Sequence, residues 1–294
     1  MTEVQQPDGA VDRLDLAQAE LLVRAALEED LAGGIDVTSS ATIAADERAW
    51  GDFVARADGV VAGLPVAECA LRLAARSTVE TSRRVQDGAR VRRGDVLLSA
   101  YGNTTALLTA ERTALNFLCH LSGVATLTRR WADALEGTGA RVRDTRKTTP
   151  LLRGLEKYAV RCGGGVNHRM SLSDEALIKD NHVLAAGGVA RAFHRVHGRF
   201  PDLPVQVEVT RVDQVEEALA VGAESILLDN MSTEQMREAV QVVAGRATVE
   251  ASGGLTLDRA REVGETGVDY LAVGALTHSA PILDIAFDLR DGGR

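Results

Sequence analysis

The spacing of hydrophobic positions changes along the chain, and the change divides it. Between 15 and 31 the residues Ala19, Leu22, Val23, Ala26 and Leu27 recur at helical spacing, which predicts one amphipathic helix. Asp15 and Gln18 stand at capping-box spacing before it, and Gly33-Gly34 ends it. Residues 50–57 alternate like a strand, and 59–64 read as a second, glycine-broken strand. DGARVRRGDVLLSAYG, 87–102, is a turn–strand–turn–strand pattern, and 103–135 is the longest helical run, with a break expected at Gly123. From 140 onward strands and helices take turns. Strand-like runs fall at 140–144, 175–178, 205–209, 225–228, 247–251 and 270–273, with helical runs at 212–220, 233–243 and 257–263. Such alternation predicts a parallel sheet with right-handed crossovers. A closed or nearly closed β/α barrel is the natural architecture, and an open doubly wound sheet is the alternative. The expected layout is a disordered tail at 1–13, an N-terminal α/β domain at 14–136 joined by the C-terminal segment 281–294, and a barrel domain at 137–280.

Composition removes several classes of function. Over 294 residues the chain is 45% hydrophobic and 26% charged, with a net charge of −9 and 3% aromatics. An aliphatic core follows. A negative chain with few stacking rings does not suit nucleic acid. No apolar run reaches the roughly 18 residues of a membrane span, and the polar, acidic N-terminus does not resemble a signal peptide. The three cysteines, Cys69, Cys119 and Cys162, are odd in number and widely spaced, which fits reduced cytoplasmic thiols better than a disulfide framework. Cys162 is either a low-pKa thiol in a basic stretch or, the better reading, a packing residue. The 87–102 pattern looks like half of a lipoyl or biotinyl carrier. Such a carrier needs a lysine at its hairpin tip, and no lysine precedes Lys147.

Against that acidic background, 144–182 is a basic island. Arg146, Lys147, Arg153, Lys157, Arg161, Arg169 and Lys179 surround the glycines 163–165, and seven cations face five acids. This is either an address for a small anion or a solvated cationic face. Arg146-Lys147 and Lys179 each follow a strand-like run, where α/β folds place chemistry. The other strand ends carry Glu208, Asp229-Asn230, Ser252-Gly253-Gly254 and Gly274-Ala275. Alternation in PVQVEV sets Gln206 and Glu208 on one face and the valines on the other. Glu208 and Asp229 suit a hard divalent cation bridged to phosphate oxygens, although Asp229 equally suits a helix cap. The glycine turns suit a phosphate held by amides at helix N-termini. His278 lies near that end, as a ligand or a packing residue. Arg112, with Leu108 and Leu115 on its helix face, is expected to point along an apolar seam, and a buried guanidinium requires an anion. That anion is either a distant acid of the same chain or a ligand.

DTRKTTPLLRGLEKYAV (144–160), NHR (167–169) and LIKDNH (177–182) closely resemble the signature of the quinolinate phosphoribosyltransferase family. The likeness runs from EEDLAGGIDVTSSATI, near Glu28, to His278. It implies an incomplete β/α barrel with an N-terminal α/β sandwich-like domain. It implies the reaction of quinolinate with 5-phosphoribosyl 1-pyrophosphate, with loss of CO₂, using Mg²⁺. By the same resemblance Arg112 of a neighbouring subunit, Arg146, His168, Arg169 and Lys179 hold the two quinolinate carboxylates, so a homodimer with shared sites is implied. Thr145 and Lys147 border that pocket and the pyrophosphate, and Lys147 and Lys179 join Glu208 and Asp229 in catalysis. Glu208 and Asp229 organise Mg²⁺ and ribose, while Ser252, Gly253, Gly254, Val273, Gly274, Ala275 and His278 take the 5-phosphate. The nearest alternative is a related phosphoribosyltransferase acting on nicotinate or a molybdenum-transport-associated relative. Four cations for one acceptor favour a dicarboxylate. A non-catalytic anion-binding protein would have no need of Glu208 and Asp229.

Overall fold

The structure is a computed structural model that describes residues 14–75 and 78–290. The tail expected at 1–13 lies outside them. In chain order the elements begin with α1 (Leu16–Leu31), α2 (Val37–Thr42), β1 (Arg48–Ala55), β2 (Gly59–Val60), α3 (Leu64–Ala74), β3 (Glu80–Arg83), β4 (Arg90–Val91), β5 (Val96–Asn103) and α4 (Thr104–Ala134). Then come β6 (Arg141–Arg143), α5 (Arg153–Cys162), β7 (Ala176–Ile178), α6 (Asp180–Ala186), α7 (Val189–Arg199), β8 (Val205–Val209), α8 (Val212–Ala220) and β9 (Ser225–Asp229). The chain closes with α9 (Thr233–Val243), β10 (Thr248–Ser252), a 3-10 turn (Leu257–Arg259), α10 (Ala260–Gly264), β11 (Tyr270–Ala272), α11 (Ala275–His278) and β12 (Ile285–Leu289).

These elements form two compact units. Among the described residues the first takes those up to 129, 149–164 and those from 279, and the second takes 130–148 and 165–278. The stretch expected as one block, 137–280, is therefore interrupted, because α5 groups with the first unit. So do Arg153, Lys157 and Arg161, three of the seven cations of the basic island.

In the first unit an antiparallel sheet runs β12-β1-β5-β3, and β2 pairs with β4. Phe53, Leu97, Leu98, Leu107 and Leu118 are fully buried, each contributing about 1.5–3 kcal/mol by leaving water. Asp15 caps α1, its carboxylate accepting the Ala17 and Gln18 amides at 3.0 Å. Two sequence expectations need correction here. The strand expected over 59–64 stops at Val60, because Gly63 sits at φ +101 and starts α3, with Pro65 in its first turn. Proline's missing N–H is harmless there, and Asp87 accepts the Gly63 and Leu64 amides. The break expected at Gly123 is absent, and α4 continues through it. A Cβ at Gly123 would lie 2.2 Å from the Pro281 carbonyl oxygen, so this glycine serves a close backbone approach rather than a bend.

In the second unit six parallel strands follow the order β6-β11-β10-β9-β8-β7. The strands β6 and β7 are consecutive in the chain yet occupy opposite edges, and among the described residues they do not pair. The sheet is thus a barrel left open between its first two strands. Val207, Val209, Ile226, Leu228, Val249, Ala251 and Leu271 are buried. They lie on the apolar face that the alternation in these strands requires.

Candidate active site

Register decides which polar residues share the opposite face. Glu208 pairs with Leu227, Leu227 with Glu250, and Glu250 with Tyr270. One step further along the strands, Asp229 pairs with Ser252 and Ser252 with Ala272, which pairs with Arg143. Residues directly opposite on neighbouring strands point to the same side. Gln206, Glu208, Asp229, Glu250, Ser252 and Arg143 therefore line one polar face, and its carboxyl-terminal rim is where barrel enzymes act.

Two of the cations, Arg146 and Arg169, lie close enough to act on each other. Arg146 is half-buried, and its Nε hydrogen is buried with no partner. Arg169 donates from Nη1 to the Glu175 carbonyl at 2.7 Å. Burial, followed by the nearby Arg146 charge, lowers the Arg169 pKa from its usual value. Two like charges with an unused buried donor form an arrangement that an anion relieves. Lys179 Nζ lies 3.3 Å from Glu208 Oε2. His168 is buried beside Arg169, and its backbone amide donates to Asp144 at 2.8 Å.

The remaining rim holds acids and glycine turns. Asp229 Oδ2 accepts a hydrogen bond from the Asn230 side-chain Nδ2 at 2.9 Å. The cap of α9 is Ser232, whose side chain accepts the Gln235 amide, so the helix-cap reading of Asp229 falls away. A Cβ at Gly253 would lie 2.3 Å from Asn230 Oδ1, and Gly253 and Gly254 have φ of +87 and +59. Consecutive left-handed glycines make a tight turn that a ligand can approach closely, a backbone form that suits phosphate. The helices after these turns are short, with a three-residue 3-10 turn before α10 and four residues in α11. The amides available at these turns therefore belong to loops more than to the helix N-termini expected from the sequence. A Cβ at Gly274 would meet Lys147 Cδ at 2.9 Å and His278 Nε2 at 3.2 Å, so Lys147, Gly274 and His278 converge. Thr277 Oγ1 donates to the Lys147 carbonyl at 2.8 Å, and Thr145 Oγ1 accepts the Lys147 amide at 3.0 Å. Val273 is buried and donates its amide to the Arg143 carbonyl at 2.8 Å, with Ala275 half-buried after it. His278 is exposed.

Two further expectations change. Arg112 lies on α4 in the first unit and is exposed, so the apolar seam does not bury it within its own chain. Cys162 is buried, and burial with the nearby Asp87 charge pushes its thiol up to about 12. It is a packing residue, and the low-pKa alternative falls. Sequence reasoning missed Arg143 and Glu250, which bridge at 2.7 Å. Burial pushes the Glu250 carboxyl up while Arg143 opposes the shift. The signal for Glu250 was present. It is a lone acid in the apolar run TVEAS, as Glu208 is in VQVEV.

An arginine pair with an unpartnered Nε, on the rim of an open β/α barrel with glycine turns, fits the class of barrel enzymes that act on anionic substrates. Comparison with known proteins narrows that class. Residues 36–122 match the model of the quinolinate phosphoribosyl transferase N-terminal domain, and 124–288 match that of the C-terminal domain. The nicotinate-nucleotide pyrophosphorylase [carboxylating] of Mycobacterium leprae is 51% identical over 271 residues, covering 91% of this chain and 95% of that protein. The solved nicotinate-nucleotide pyrophosphorylase of Francisella tularensis superposes with a TM-score of 0.91 at 33% identity, covering 96% and 99%. NadC from Streptococcus pyogenes superposes at 0.89 and 40% identity, covering 95% and 97%. The chain belongs to the quinolinate phosphoribosyltransferase family.

Proposed function

We propose that this chain converts quinolinate and 5-phosphoribosyl 1-pyrophosphate into nicotinate mononucleotide, pyrophosphate and CO₂, a step of NAD biosynthesis. The observation that carries this reading is the Arg146–Arg169 pair with its buried, unpartnered Nε. A ring with two carboxylates meets that need, since planar guanidinium forks match carboxylates.

In this reading Arg146, Arg169 and Lys179 take the carboxylates, with His168 beneath them and Thr145 at the edge. Gly253, Gly254, Ser252, Val273, Gly274, Ala275 and His278 surround the 5-phosphate. Pyrophosphate leaves ribose C1 beside Lys147, whose ammonium neutralises it. The oxocarbenium-like carbon that results is stabilised by the carboxylates of Glu208 and Asp229. The quinolinate nitrogen then bonds to C1. The pyridinium formed accepts the electron pair of the C2–carboxylate bond as CO₂ departs, and a proton replaces it at C2.

For Mg²⁺, no cluster of three or more His, Cys, Asp or Glu among the described residues is placed to hold an ion. Two rim carboxylates fit a magnesium that arrives on substrate phosphates, the usual mode for this cation. Glu208 and Asp229 would hold it, and it would offset charge on the leaving pyrophosphate.

The exposed Arg112 is assigned to the site of a second copy, which makes the working form a homodimer. No helix of the described residues is long and apolar enough to cross a membrane, and we place the enzyme in the cytoplasm. Purified protein with quinolinate, phosphoribosyl pyrophosphate and Mg²⁺ is expected to release CO₂, while nicotinate gives no nucleotide at a comparable rate. Turnover of nicotinate alone would overturn the substrate. Arg112→Ala chains mixed with Lys179→Ala chains are expected to regain activity, each inactive alone, up to about a quarter of wild type by random pairing of intact sites. Confirmed subunit exchange without recovery would sink the shared site.

A further inference from the structure

A set of hydrogen bonds around His168 converges on the Glu250 carboxylate. Arg143 Nη1 donates to Glu250 Oε2 at 2.7 Å. Gln206 Nε2 donates to the same oxygen, and to Ser225 Oγ, at 3.2 Å. Glu250 is 1% exposed and Gln206 fully buried, so water supplies no alternative partner. Burial raises the Glu250 carboxyl, but the Arg143 guanidinium at 2.7 Å opposes the shift. Paired with that charge, Glu250 is taken as the carboxylate, which only accepts. The Gln206 amide must therefore turn its NH₂ group towards Glu250 and its carbonyl oxygen towards His168. That oxygen lies 2.9 Å from His168 Nε2. A carbonyl accepts, so Nε2 carries the ring hydrogen. Nδ1 is then bare, and it accepts the backbone N–H of Arg169 at 2.7 Å.

Each link depends on the one below it. A reversed Gln206 would put NH₂ against Nε2, move the ring hydrogen to Nδ1, and set two N–H groups head to head at the Arg169 amide. An imidazolium would create the same clash. The other charged groups around the ring are Glu250 Oε1 at 3.6 Å from Nε2 and Glu175 Oε2 at 3.5 Å from Nδ1. Asp144 binds the His168 amide at 2.8 Å, and Arg143 and Arg169 close the set. The two glutamates would welcome a second ring proton, but the Arg169 amide occupies its place.

We propose that Glu250 and Gln206 are positioning residues for quinolinate recognition: they hold His168 in its neutral, Nε2-protonated form, and its bare Nδ1 anchors the backbone of Arg169. The inference rests on the assignment of Arg169 to a quinolinate carboxylate. It gives His168 an indirect role, because both ring nitrogens are engaged by protein. Ordinary tautomer choice costs little in water. Here the half-buried Arg143 settles it through two side chains, Glu250 and Gln206.

The test uses the full-length protein labelled with ¹⁵N-histidine. The His168 signals, identified by their loss in His168→Gln, are expected to show the neutral Nε2–H tautomer throughout about pH 6 to 8. Gln206→Leu is expected to lose that single tautomer. It should also raise KM for quinolinate about tenfold, leave kcat within about threefold, and leave phosphoribosyl pyrophosphate binding unchanged. An imidazolium or an Nδ1–H tautomer in the wild type would overturn the proposal before any variant is made. So would a Gln206→Leu protein with an altered ring and an unaltered KM. A wild type that does not turn over quinolinate would instead remove the substrate assignment, and the ring state would still decide the hydrogen-bond chain. If Gln206→Leu fails to fold, Glu250→Gln takes its place, because its amide no longer forces Gln206 to face one way.

Discussion

Arg146→Ala is expected to lose quinolinate and keep phosphoribosyl pyrophosphate. Removing one member of a desolvated, hydrogen-bonded charge pair costs about 2–4 kcal/mol, roughly a 30- to 1000-fold rise in Kd. The free protein should not suffer. Arg146 brings a buried donor without a partner, and its charge helps to lower the Arg169 pKa. Its removal therefore relieves a repulsion in the unliganded state. The melting temperature of Arg146→Ala should match or exceed that of the wild type. Calorimetry with each ligand separately, beside a thermal melt, reads both halves of the expectation. Equal loss of the two ligands, or a marked drop in melting temperature, would mean that Arg146 supports the fold and not one substrate.

Glu208→Gln should separate binding from chemistry. Glu208 is paired with Lys179 at 3.3 Å, where its side chain is 13% exposed and that of Lys179 is 48% exposed. A pair this open to water contributes little to folding. In the proposed mechanism, however, the carboxylate stabilises the carbon that becomes positive as pyrophosphate leaves, and loss of one such stabilising group typically costs about 10²–10³ in kcat. Quinolinate should bind no more weakly, since Lys179 is released from its own acid and is free to meet a substrate carboxylate. The expected result is a fall of about 100- to 1000-fold in CO₂ release at saturation, with an unchanged or lower Kd for quinolinate. A kcat within tenfold of wild type would remove Glu208 from the chemistry.

Much of the second unit was legible before any coordinates. The expected segments 205–209, 212–220 and 233–243 match β8, α8 and α9 residue for residue. Period-two and period-3.6 patterns are local, and burial of one face enforces them. The candidate site residues Arg146, Lys147, Lys179, Glu208 and Asp229 were singled out by similar local signals, as polar residues at or near the ends of strand-like runs. The first unit was harder to read where two backbones meet. Gly123 looks like a helix breaker until Pro281 is seen against it, and Gly63 looks like a strand residue until Asp87 caps the helix it begins. Arg112 has an apolar-looking helix face but lies exposed on its own chain.

What the amino acids determined alone was therefore the parallel β/α unit, its strand ends and the anionic character of the ligands, because each depends on neighbours a few residues away. Tertiary structure decided that the barrel stays open between β6 and β7, that α5 joins the first unit, and that Ser232 and not Asp229 caps α9. It also decided that Arg143, Glu250, Gln206 and His168 form one chain of hydrogen bonds. Those four residues come from separate segments of the chain, and only the register of strands far apart in sequence brings a donor to its acceptor.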